Sequence, residues 1–308
     1  TFLNFRDRFS KFCCKGIHFT KLRKNLNSRI TSHHYQAMDK PFILPFSELQ
    51  TLKEVAIEAA QVGGQILQKY SKSGFAIEHK TRLSLVTDAD KESESTIVDL
   101  LRRNYPTHQI LAEEKGTHSA QKSPFKWVID PLDGTTNFTH GFPLYNVSIG
   151  LEYEGTCILG VVFDPTRPEL FVAERGGGAT CNGKPIHVSK ISDLGKSLLV
   201  TGFGYDIAET GDNLDEFCRF TLQTQGVRRT GTAAIDLCYL ASGRFDGFWE
   251  MNLNPWDTAA GTVILEEAGG KLTDYNGVPY TIYSKTMVAS NDLLHQQMLD
   301  VLQHQPFT

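Results

Sequence analysis

Residues 127–151 read WVIDPLDGTTNFTHGFPLYNVSIGL, and the rest of the chain can be read outward from them. Trp127, Val128 and Ile129 are a short apolar run of β-formers, which predicts a buried strand. The run closes in Asp130, Pro131, Leu132 and Asp133. Pro131 has no N–H to give to a sheet, so the strand is expected to stop there. Gly134, Thr135 and Thr136 then open a turn or short helix with free backbone N–H groups. Two carboxylates at a strand end suit a hard cation bound through oxygen, and the N–H groups after them suit an anion. The pattern points to a metal ion and a phosphate held side by side.

Two phosphatase patterns compete for DPLDGT. Haloacid dehalogenase phosphatases carry D-x-D-G-T after a strand, with the first Asp as nucleophile. Here the residue two before Asp133 is Pro131, and the next Asp back is one place too far. The covalent aspartyl-phosphate route therefore loses its nucleophile. What remains, D-P-x-D-G-T-[ST]-[NE]-F, resembles the inositol monophosphatase family. An isolated D-x-x-D would be read more simply as a solvated acidic turn; the whole run is far more specific.

The composition is that of a soluble globular chain: 308 residues, 40% apolar and 21% charged. No apolar run approaches a membrane span. The net charge of −4 is unevenly spread. Residues 1–38 hold eight Lys or Arg and one acid, Asp7, leaving 23 basic and 34 acidic residues in the remainder. A globular part this acidic is a poor match for nucleic acid and suits a site that gathers carboxylates around cations. The six cysteines are scattered, with no C-x-x-C, which fits a reducing compartment and buried structural thiols.

Residues 1–46 read as a basic N-terminal extension, disordered or targeting, rich in Arg, Lys and Ser. Residues 47–195 read as an N-terminal α+β half and residues 196–308 as a C-terminal α/β half. The expected location is cytoplasmic, or plastid or mitochondrion if residues 1–38 are a transit peptide. An amphipathic helix begins near Ser47, with Gly63 and Gly64 marking a close crossing. Strand character over 75–86, a helix capped by Thr87 or Asp88 and ended by Pro106, and a strand at 109–112 lead to the central motif. Strands follow at 145–153, 157–163 and 170–173. The second half alternates: strands at 198–201, 247–251, 271–273 and 287–289, with helices near 212–225, at 232–241, at 257–268 and at 291–303.

Acidic residues recur at strand ends and helix starts: Asp90, Glu113, Glu114, the pair Asp130 and Asp133, and Asp257. Asp257 alone would be read as a helix cap. Further motifs extend the resemblance over about residues 48–305. SLVTDADK (84–91) and ILAEEKG (110–116) look like the family's Leu-Val-Thr-x-x-Asp and Gly-Glu-Glu runs, with Ala112 in place of the usual glycine. GTAAIDLCYLASGRFDGFWE (231–250) and NPWDTAAGTVILEEAGG (254–270) match its second signature.

The resemblance implies a layered αβαβα sandwich of the sugar-phosphatase type, shared with fructose-1,6-bisphosphatase. It implies two or three Mg²⁺ ions. Glu113, Asp130 and the carbonyl of Leu132 would hold the first, and Asp130, Asp133 and Asp257 the second. A third, weaker ion would sit near Glu113, with Asp90 acting through water. Gly134 and Thr135 would bind phosphate. Glu113, Thr135 and Asp90 would orient the attacking water. Gly231, Thr232, Ala233 and Glu250 would line the alcohol side of the substrate. The implied activity is Mg²⁺-dependent, Li⁺-sensitive hydrolysis of a small phosphomonoester, myo-inositol monophosphate first. Histidinol phosphate or a sugar phosphate is the alternative on the same fold. A binding or regulatory protein is the alternative of another class, since some bacterial members partner the transcription machinery. The resemblance also implies a homodimer with no membrane partner.

Overall fold

The computed structural model describes residues 46–79, 85–118 and 122–303; the N-terminal extension and Lys80 lie outside them. Helix α1 (Phe46–Ser73) leads to a two-stranded hairpin of β1 (Ile77–His79) and β2 (Leu85–Thr87), then to α2 (Asp88–Asn104). Strands β3 (Gln109–Ala112), β4 (Gly116–His118) and β5 (Phe125–Asp133) precede the short helix α3 (Thr135–Thr139). A meander follows: β6 (Asn146–Tyr153), β7 (Thr156–Asp164), β8 (Glu169–Glu174), β9 (Gly178–Cys181) and β10 (Lys184–Pro185). The second sheet draws on β11 (Leu198–Thr201), α4 (Ile207–Thr210), α5 (Leu214–Gln223), β12 (Gly226–Arg228), α6 (Ala233–Ala241) and β13 (Gly247–Met251). It is completed by α7 (Pro255–Glu267), β14 (Lys271–Thr273), β15 (Thr286–Ser290) and α8 (His295–Gln303).

The eight-stranded sheet has the order β10-β9-β8-β7-β6-β5-β3-β4, with β3 and β5 parallel and the rest antiparallel. The five-stranded sheet has the order β12-β11-β13-β15-β14. Its first three strands are parallel, β15 runs antiparallel to β13, and β14 runs antiparallel to β15. Helices α1 and α2 cover the outer face of the first sheet, α6 and α7 lie between the sheets, and α5 and α8 cover the far face of the second. This is the expected five-layer sandwich. Alternation along each strand divides its side chains between cores. Trp127 and Ile129 pack with α1 and α2, while Val128 packs with α6 and α7. Leu199 and Trp249 face α8, and Val200 and Phe248 face the middle layer. Strands buried on both faces read as unbroken apolar runs, as Trp127–Ile129 does.

The close crossing expected of α1 is present. A Cβ at Gly64 would stand 2.5 Å from the Phe163 ring, and one at Gly63 2.8 Å from Ile97. Helix α7 lies equally close to β7, where a Cβ at Gly160 would meet the Ala260 carbonyl oxygen at 2.3 Å.

Three sequence expectations need correction. The central strand does not stop at Pro131 but runs to Asp133. The helix carrying Asp257 starts two residues earlier, because Pro255 occupies its first turn, where a missing N–H costs nothing. The last helix starts at His295, since Asp292 takes a left-handed φ of 68°. Strands β4 and β12 and the short α4 were not anticipated; each has only three or four residues, too few to show a period.

Candidate active site

In a regular strand, residues three apart point to opposite faces. Asp130 and Asp133 nevertheless line the same cleft, of about 190 Å³. The pairing of β5 with β6 explains this. Asp130 is opposite Ser148 and Asp133 is opposite Asn146, so one strand spends an extra residue between the two pairs. Pro131 sits in this bulge, where no ladder bond is asked of it. The bulge is held internally: Leu132 N–H donates to Asp130 Oδ1 at 3.0 Å, and Ser93 Oγ donates to the Pro131 carbonyl at 3.0 Å. Asp133 Oδ2 accepts from Asn146 Nδ2 at 3.0 Å and from the Ala234 N–H at 2.9 Å.

Gly134 follows at φ 95°, in the left-handed region, and is the N-cap of α3. A Cβ there would meet Thr232 Cγ2 at 2.8 Å and the Leu144 carbonyl oxygen at 3.1 Å, so both conformation and space call for glycine. The next residue, Thr135, places its hydroxyl between two acceptors, the Leu132 carbonyl at 3.1 Å and Asp90 Oδ1 at 3.3 Å.

Asp90 is fully buried in α2 and is not part of the cleft lining; it reaches the site through Thr135. Its other oxygen closes the capping box of α2, accepting from Thr87 N–H at 2.7 Å and Thr87 Oγ1 at 2.5 Å. Glu113 lines the cleft from the turn after β3, with its N–H bound to the Ile129 carbonyl at 3.3 Å. Glu114 stays outside the lining, and its N–H donates to buried Glu94 at 2.8 Å.

The second half supplies the opposite wall. Asp257 projects from the first turn of α7, with Oδ2 accepting from Asn254 N–H at 2.7 Å. Glu250 lies near the end of β13 and is buried, with 9% of its surface exposed. Gly231, Thr232 and Ala233, at the entry to α6, also line the cleft. Every site residue expected from the sequence except Asp90 lies in its wall.

The electrostatics are those of an acid cluster short of positive charge. Burial, followed by Glu113, Asp133 and Asp257, holds Asp130 well above the usual carboxylate range. Burial raises Asp133 to about 7, Asp257 to about 8 and Glu250 to about 8. Asp90 is raised to about 6, mainly by burial. Arg229 is the one Lys or Arg among the described lining residues. Such a donor set fits hard cations, which take oxygen ligands and offset the mutual repulsion. Among the described residues, no three Asp, Glu, His or Cys side chains close into a finished cage. An open arrangement is compatible with Mg²⁺, which takes one or two carboxylates and completes its shell with water and substrate oxygens.

Several lining residues were missed in the sequence: Asn137, Phe203, Tyr205, Arg229, Asp236 and Asn252. Asn137 stood inside the TTNF run, and G-F-G-Y at 202–205 offered the signal of an aromatic pair among glycines after a strand. Trp256 packs against the core and also lines the cleft.

The model of the inositol monophosphatase family matches residues 48–306. An inositol-1-monophosphatase of Synechocystis is 47% identical over 87% of this chain and 93% of its own length. A Nus factor SuhB of Pseudomonas aeruginosa is 40% identical over 83% of this chain and 97% of its own. The solved structure of an inositol monophosphatase from Anabaena superposes with a TM-score of 0.78 at 47% identity, covering 84% of this chain and 98% of that one. With that match along nearly the whole described chain, on the fold and around the acidic cleft set out above, the chain belongs to the inositol monophosphatase family.

Proposed function

We propose that the protein hydrolyses small phosphomonoesters, with myo-inositol monophosphate as the foremost substrate, in a Mg²⁺-dependent reaction. The observation that carries this is the convergence of Glu113, Asp130, Asp133 and Asp257, from separate segments of both halves, beside the Gly134–Thr135 helix start. Glu113, Asp130 and the Leu132 carbonyl would hold one cation, and Asp130, Asp133 and Asp257 a second; Asp90 would act on a third through water. When bound, the cations supply positive charge against the entering and leaving oxygens of the phosphoryl group.

The chain's own residues do the rest. The backbone N–H groups of Gly134 and Thr135, at a helix start, receive the phosphate oxygens. The Thr135 hydroxyl has one proton and gives it to Leu132 or Asp90, leaving its lone pairs to accept from the attacking water. Asp90, raised to about 6, is mostly ionised at neutral pH and can take up the proton that Thr135 passes on. Glu113 orients the same water from the facing turn. Gly231, Thr232, Ala233 and Glu250 receive the alcohol.

The test is phosphate release from a panel of inositol 1-phosphate, histidinol phosphate, fructose 1,6-bisphosphate and adenosine 3′,5′-bisphosphate, with Mg²⁺ and with EDTA. Release that needs Mg²⁺ and is fastest for inositol 1-phosphate supports the reading. Histidinol phosphate or the sugar phosphate leading would move the substrate within the fold. No release from any ester would favour a binding or regulatory role, the reading supported by the relative named Nus factor SuhB. The homodimer is part of the same proposal and is read by the mass of the protein in solution. Among the described residues no helix is long and apolar enough to cross a membrane.

A further inference from the structure

We infer that Asn137 is the positioning residue that sets the alcohol end of the cleft against its phosphate end. The inference rests on the phosphomonoesterase reading above and adds a residue to which that reading gave no role. Asn137 sits in α3, two residues beyond Thr135, and its amide nitrogen donates to two backbone carbonyls at once. One is Leu144, at 2.9 Å, just before β6 of the first sheet. The other is Thr230, at 2.9 Å, in the segment that leads from β12 to α6 of the second half. An amide nitrogen has two hydrogens, so both donors are committed and the orientation of the side chain is set by them.

The segment it grips carries the alcohol-side residues. Gly231 follows Thr230 directly, and a Cβ at Gly231 would stand 3.3 Å from Asn137 Nδ2. The grip is reinforced from within the segment. Thr230 Oγ1 donates to buried Asp236 at 2.6 Å, and the Thr232 N–H donates to Thr230 Oγ1 at 3.4 Å. A second tie across the halves runs from the Ala234 N–H to Asp133 at 2.9 Å. Asn137 and Asp133 thus flank the Gly134–Thr135 turn, and each fixes one end of 230–234 to it. Asp133 is committed to the acid cluster, whereas Asn137 acts through the backbone of Thr230. Losing it lets Gly231 and Thr232 move relative to Gly134 while the phosphate end keeps its own supports. An Asp at this position would be no substitute, because a carboxylate has no hydrogen to give and would oppose two carbonyl oxygens.

The experiment compares wild type with Asn137→Ala and Asn137→Asp on inositol 1-phosphate and on p-nitrophenyl phosphate, whose leaving group offers no hydroxyls to recognise. The expected result is that the kcat/KM ratio between the esters falls about tenfold in both variants, while inhibition by inorganic phosphate stays within about twofold. A general loss of structure lowers both esters together and leaves the ratio alone. An unchanged ratio, or phosphate inhibition weakened in step with it, overturns the inference. So does the absence of a cooperative thermal transition in both variants, which would make Asn137 a residue of the fold. A wild-type protein that releases phosphate from neither ester with Mg²⁺ sinks the phosphomonoesterase reading itself, whatever the variants do.

Discussion

Asp90 and Asp257 hold the same place in two helices from different halves of the fold. Each is the third residue of its helix, and each returns one carboxylate oxygen, at 2.7 Å, to the backbone N–H of its own N-cap residue, Thr87 or Asn254. Capping and site roles are therefore combined in one side chain. The cap bond holds the carboxylate in place and leaves the second oxygen for Thr135 in one case and the cleft in the other.

This separates two substitutions of Asp257. Asparagine keeps an oxygen acceptor for the cap and removes the charge, so Asp257→Asn is expected to lose activity by orders of magnitude while its metal-free Tm stays level or rises. Alanine also removes Asp257's half of the capping box, which costs about 1 kcal/mol. Thermal melts and phosphate release on the two variants check this; equal melting losses in both would remove the cap from the account.

Asp130 is the carboxylate shared between the two proposed cations. Asp130→Asn is expected to fold and to lose turnover by orders of magnitude. Wild type should be stabilised by Mg²⁺, by about 2.7 kcal/mol at a hundred times the dissociation constant. The variant should lose most of that gain. Near-normal turnover of the variant at saturating Mg²⁺ would refute the two-cation assignment. Li⁺ should inhibit the wild type without competing with substrate, and full activity in excess Li⁺ would place the chain in another branch of the family.

Glu250 lies against Gly202, where an added Cβ would meet its carboxylate oxygens at 2.3–2.4 Å. Glu250→Gln is expected to lower the kcat/KM preference for inositol phosphate over glycerol 2-phosphate about tenfold, or about 1.4 kcal/mol. Gly202→Ala should act in the same direction by displacing the same side chain. Both substrates slowing together in Glu250→Gln would move Glu250 into the catalytic framework.

His295 gives a pH dependence far from the cleft. It is buried, with its ring nitrogens 2.9 Å from Thr273 Oγ1 and 2.9 Å from Ser290 Oγ, and burial pushes it down to about 4. The folded imidazole stays neutral while the unfolded one charges below about pH 6.5. Stability is thus expected to fall as pH drops from about 6.5 to about 4, by at most about 2 kcal/mol at pH 5 from this group. Urea unfolding at pH 7 and pH 5 measures it. His295→Gln should be less stable at pH 7 and lose this share of the pH dependence; an unchanged slope would assign it elsewhere.

Deletion of residues 1–38 is expected to leave activity and Tm unchanged, because their composition lacks the periodic apolar pattern of a packed element. Loss of folded protein on deletion would make the segment structural. A reporter fused to these residues tests targeting separately, and failure of organelle import counts against a transit peptide.

What the sequence determined by itself is what neighbours along the chain control. Thr87 before an N3 Asp and the apolar run 127–129 state their cap and strand locally, because side-chain period and backbone donors act within about four residues. The order of several such motifs was enough to identify the acids and their family. Tertiary structure alone decided how those acids face one another. Asp130 and Asp133 share a cleft only because pairing with β6 forces a bulge at Pro131, and no spacing rule along β5 says so. Asp90 stands behind Thr135 and not in the wall, since the packing of α2 on β5 sets its depth. Tyr205, Arg229, Asp236 and Asn252 enter the cleft from loops and a helix of the second half. Their arrival depends on how two sheets and the helices between them pack, a matter of contacts far apart in the chain that local spacing does not carry.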